Sequence, residues 1–96
     1  MHEETKLLKK YLREKFPDHI VRVRLIRAAN YSYSSDIIKI QTDVPYQTIR
    51  PCIKQVTKNI AVYPKGDVAT NHNWERSEIL GVTDTLVEFI EIEYLQ

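Results

Sequence analysis

Along this chain the spacing of apolar residues switches between the helical period of about 3.6 and the strand period of two, and each switch marks an element. Leu7, Leu8, Tyr11, Leu12 and Phe16 form one helical stripe, which predicts a helix over residues 3–16. Glu3 and Glu4 fall in its first turn, where the helix dipole favours acids. Lys6, Lys9, Lys10 and Arg13 take the remaining surface, and Pro17 ends the helix. Residues 20–28 then alternate: Val21, Val23 and Leu25 share one side, Arg22, Arg24 and Ile26 the other. A Ser- and Asn-rich stretch, 29–36, is turn chemistry, and residues 37–42 read as a second strand, so an antiparallel hairpin is expected.

Asp43-Val44-Pro45 interrupts this strand. Ile49, Cys52, Ile53, Val56 and Ile60 resume the helical period. Thr48 is the expected N-cap, which leaves Pro51 in the first turn; a start nearer Pro45 moves Pro51 inward. Cys52 falls on the apolar stripe and reads as a small core residue. Residues 60–63 suggest a short third strand, and 64–78 a long polar loop. Residues 86–95 form the last and longest strand, with Ile90, Ile92 and Tyr94 on one side and Val87, Phe89, Glu91 and Glu93 on the other. The order α-β-β-α-(β)-β predicts an α+β fold, a single domain over residues 1–96 with two helices on one face of a mostly antiparallel sheet.

Composition narrows the class. With 43% apolar residues, 28% charged and 2 glycines, the chain is neither collagen-like nor disordered. No apolar run reaches membrane-spanning length, and the first 20 residues lack the apolar segment of a secretory signal, so a soluble cytoplasmic protein is expected. A single cysteine excludes an internal disulfide.

The net charge of +1 hides an asymmetry. Residues 1–50 carry ten Lys/Arg against six Asp/Glu, and residues 51–96 four against seven. A basic half is a candidate nucleic-acid footprint. If the last strand lies beside the first, however, Glu91 and Glu93 neutralise Arg22 and Arg24 as cross-strand pairs.

No catalytic motif emerges. Two glycines cannot make a phosphate loop, and His2, His19 and His72 lack ligand spacing. Asp67, His72 and Glu75 share a loop without a recognised metal pattern, and no nucleophile–His–acid set stands out. No cofactor or metal is expected, and the chain reads as non-enzymatic. Binding chemistry is better represented: Tyr31 and Tyr33 follow directly on Arg22, Arg24 and Arg27. Aromatic rings stack on bases while arginines hold phosphates, which suits single-stranded nucleic acid.

The run Leu8-Lys9-Lys10-Tyr11-Leu12-Arg13-Glu14-Lys15-Phe16-Pro17, then Val21-Arg22-Val23-Arg24, a Ser-rich turn, Ile38-Lys39-Ile40, and Asp43-Val44-Pro45 before a helix, resembles the small "large polyvalent protein-associated" domains of phages and conjugative elements. The resemblance covers roughly residues 5–60; Val44 stands where that pattern has Gly, and the tail from Pro64 lies outside it. It brings no catalytic residues and implies a mobile-element setting: DNA transfer, replication or protection against host defence.

The leading expectation is therefore a small accessory protein of a phage or mobile element that binds nucleic acid, single-stranded DNA above all. Arg22, Arg24, Arg27 and Lys39 contact phosphate, and Tyr31 and Tyr33 stack on bases. The alternative is a protein-binding module, such as an anti-CRISPR-like inhibitor of a host defence complex or a partner of a replication enzyme. It would use Tyr63, His72, Trp74 and Arg76 or the acidic last strand. Edge strands leave both monomer and homodimer open.

Overall fold

In a computed structural model of the chain, residues 3–27, 36–67, 77–85 and 87–96 are described. Helix α1 (Glu3–Lys15) leads into strand β1 (Val21–Ile26), which forms an antiparallel hairpin with β2 (Asp36–Thr42). Helix α2 (Tyr46–Gln55) follows, then β3 (Thr57–Lys58), β4 (Ala61–Pro64), β5 (Ser77–Ile79), β6 (Val82–Thr85) and β7 (Val87–Tyr94). The strands form a four-stranded sheet, β1-β2-β7-β4, and a three-stranded sheet, β3-β5-β6. Three of the five strand pairings are antiparallel, and the fold is α+β as expected. The Cα radius of gyration, 12.4 Å, is close to the ~12.5 Å of one packed domain of this length.

Both helices bury their apolar stripes in one core. Leu8 and Leu12 of α1 and Ile49 and Ile53 of α2 join Val21, Val23, Ile38, Ile40, Val62, Ile90 and Ile92 of the large sheet. Thr5, polar but fully buried, extends the α1 stripe towards the N-terminus. Pairs β2/β7 and β4/β7 are both parallel. Parallel strands need a crossover, which α2 supplies between β2 and β4, and β7 then fills the slot between them.

Several expectations are corrected. Strand β7 lies beside β2 and β4, so Glu91 and Glu93 do not face Arg22 and Arg24. Helix α2 starts at Tyr46, not after Thr48: the Pro45 carbonyl accepts the N–H groups of Thr48 and Ile49, and Pro45 is the N-cap. Pro51 is consequently the sixth helical residue and gives no N–H to the Gln47 carbonyl. Both residues are exposed. The helix ends before Ile60, with Thr57 Oγ1 donating to the Ile53 carbonyl at 2.9 Å. Cys52 is half-buried rather than a core residue.

The polar loop expected over 64–78 ends earlier, because Ser77–Ile79 is strand β5. A two-residue turn, Leu80-Gly81, joins β5 to β6, with positive φ at both residues (49° and 85°). That is the twist tight hairpins favour, and Gly81 adopts it without the Cβ penalty. Leu80 does carry the penalty; its N–H donates to the Val56 carbonyl at 2.8 Å and its side chain packs on the core. A register shift near Asp36 puts an extra residue, Glu88, into β7, so Val87 falls on the core side rather than beside Phe89.

Candidate nucleic-acid interface

The large sheet has one face against the helices and a second, outer face whose side chains form cross-strand rows. At one end lies an apolar row, Ile26, Ile37, Phe89 and Ala61. Next comes Arg24, Lys39, Glu91 and Tyr63, and then Arg22, Gln41 and Glu93. Period-two alternation places these residues here, since their neighbours Val21, Val23, Ile38, Ile40, Ile90 and Ile92 are held by the core.

Towards β7 and β4 the charges are matched. Lys39 Nζ lies 3.6 Å from Glu91 Oε2. Glu93 accepts from Lys65 Nζ at 2.7 Å and from Gln41 Nε2 at 3.1 Å. The hydrogen bond from Lys65, then that from Gln41, holds the Glu93 carboxyl below its ordinary range. The same bond raises the Lys65 ammonium above its ordinary value.

Towards β1 the charges are open. Arg22, Arg24 and Arg27 are exposed, and none makes an ion pair or side-chain hydrogen bond with a described residue. Strand β1 is one edge of the large sheet, opposite β4, and α1 packs along it. Arg13 Nε donates to the Val21 carbonyl at 3.1 Å, which seats the last turn of α1 on that edge. Lys6, Lys9, Lys10 and Arg13, spaced i, i+3, i+4 and i+7, line one shallow surface of α1 together with Glu14. Arg13 thus joins the basic face of the helix to the arginines of β1.

Of the residues expected to bind nucleic acid, Arg22 and Arg24 are brought together on the outer face, with Arg27 just beyond the end of β1. Lys39 sits in the next strand, against Glu91. Tyr31 and Tyr33 lie outside the described residues, as do His72, Trp74 and Arg76 of the alternative surface. Tyr63, the remaining residue of that surface, is half-buried with its ring edge-on to Phe89, centroids 5.9 Å apart. The sequence alone presents the basic face of α1 as an ordinary solvated helix surface; its continuity with β1 depends on a tertiary contact.

Neither protein-family models, nor curated proteins, nor solved structures match this chain. Among the described residues no three His, Cys, Asp or Glu side chains gather to hold a metal ion. No described helix is long and apolar enough to cross a membrane.

Proposed function

We propose that this protein is a small non-enzymatic accessory factor of a phage or mobile element that binds nucleic acid, single-stranded DNA in particular. The interface is the band formed by α1 and β1. One observation carries this reading: the strand order separates Arg22 and Arg24 from Glu91 and Glu93, whose charges are met instead by Lys39, Lys65 and Gln41. Unpaired guanidinium groups at an edge keep their donors for phosphate, which they grip in a planar, two-pronged geometry. The lysines of α1 extend the band and add sequence-independent attraction. The mobile-element setting rests on the resemblance of residues 5–60 and on that alone.

Fluorescence anisotropy with labelled single- and double-stranded DNA across a salt series tests the proposal. The expected result is binding whose logarithm falls linearly with log salt, tighter for the single strand. A slope near −0.7 per phosphate contacted marks single-strand binding. Absence of binding to either form at low salt would overturn it.

A further inference from the structure

Beside the basic band lies a cleft of about 310 Å³ whose lining is not only basic. Phe16, Pro17, His19 and Ile20 line it together with Arg13 and Arg22. The Phe16 and His19 rings meet edge to face, centroids 6.2 Å apart. Ile20 is 46% exposed, one of two large hydrophobic residues left open among those described. An exposed isoleucine in a cleft that also holds two arginines calls for an explanation, because it sits where phosphate contacts alone would need no apolar group.

The cleft is held in shape from outside. Asp43 Oδ1 accepts the Ile20 N–H at 2.9 Å and lies 3.1 Å from His19 Nδ1, so the turn before β1 is tied to the turn before α2. Arg13 is fixed by its bond to the Val21 carbonyl, which uses only Nε and leaves the terminal guanidinium nitrogens for a ligand. An apolar and aromatic patch that shares its cleft with two cations matches one unit of single-stranded nucleic acid: a base on the patch, its flanking phosphates on the cations.

We infer that this cleft is a base-binding subsite, seating one nucleobase against Phe16, His19 and Ile20 with Arg13 and Arg22 on the adjacent phosphates. The inference rests on the nucleic-acid reading and goes beyond it by naming what is read besides charge. A base paired and stacked within a duplex is not available to such a cleft, so the subsite selects single strands.

The test compares a labelled oligodeoxythymidylate with a strand of equal length built from abasic sugar-phosphate units. The wild-type protein, His19→Ala and Ile20→Ser are titrated with each; both substituted residues are exposed, and both variants keep the backbone bond from the Ile20 position to Asp43. The wild type is expected to bind the base-bearing strand about tenfold more tightly than the abasic one. Each variant is expected to lose that preference while binding the abasic strand as the wild type does. Equal wild-type affinity for the two strands, or a preference that survives both substitutions, would overturn the subsite and leave the basic band standing. Failure to bind either strand would remove the nucleic-acid reading, and the subsite with it.

Discussion

The two halves of the outer sheet face carry similar side chains in different circumstances. On the β7 and β4 side, Lys39 and Lys65 each face a glutamate, and Glu93 also accepts from Gln41. On the β1 side, Arg22 and Arg24 face water. The difference follows from position in the sheet. Strand β7 has neighbours on both sides, so Glu91 and Glu93 meet Lys39 from β2 and Lys65 from just beyond β4, the far edge of the sheet. An edge strand has one neighbour, and the residues of β2 opposite Arg22 and Arg24 are Gln41 and Lys39, which supply no negative charge. Cations within reach of the β7 glutamates are therefore paired, and those on β1, one strand further away, are open.

The matched side rests on the core beneath it. Ile90 lies fully buried under the matched side, in the strand that pairs with both β2 and β4. Ile90→Ala should lower unfolding stability by about 2–5 kcal/mol in a denaturant titration. A much smaller loss would mean that β7 does not organise the sheet, and the matched side would lose its structural meaning.

The smallest effect sharpens the matched side alone. Glu93→Gln should weaken the fold slightly without weakening DNA binding, since it removes a negative charge away from the edge. The Glu93 carboxyl sits below its ordinary range, so its contribution to stability is present above the ordinary carboxylate value. That contribution fades as pH falls through the lowered one. The gap in thermal midpoint between wild type and variant should be widest near neutral pH and close under acid. Lys65 adds the opposite limb: raised above its ordinary value, its contribution holds below that value and is lost as pH climbs through the raised one. A gap that widens on acidification would contradict this pairing.

Much of the fold was legible in local pattern. The α1 stripe, the β1/β2 hairpin and the division of Val21 and Val23 from Arg22 and Arg24 all depend on neighbours within a few residues. Strand order was not, because β7 reaches its parallel partners β2 and β4 across long stretches of chain, and nothing in its own alternation names them. The β5/β6 hairpin leaves little signal in the sequence because its first strand is only three residues long, Ser77-Glu78-Ile79, and continues a polar stretch. Its turn left a trace in Gly81. The helix start turned on two competing signals, and the Pro45 carbonyl prevailed over the Thr48 hydroxyl. For the site, the arginines of β1 were visible as candidates. The cleft at Phe16, His19 and Ile20 was not, since it exists only once Asp43 pins the turn before β1.

The most direct test of the central claim removes equal charge from the two kinds of cation. Arg22→Ala/Arg24→Ala takes two unpaired cations from the edge, whereas Lys58→Ala/Lys65→Ala takes two that face Glu78 and Glu93. Both variants are titrated against a single-stranded oligonucleotide over the same salt series. The edge variant should lose about tenfold in affinity at low salt, with the salt slope shallower by about 1.4 for two lost phosphate contacts, and the paired-lysine variant should keep the wild-type slope. Equal losses in the two variants would show that net charge alone governs binding, and would contradict an interface built on the α1/β1 edge.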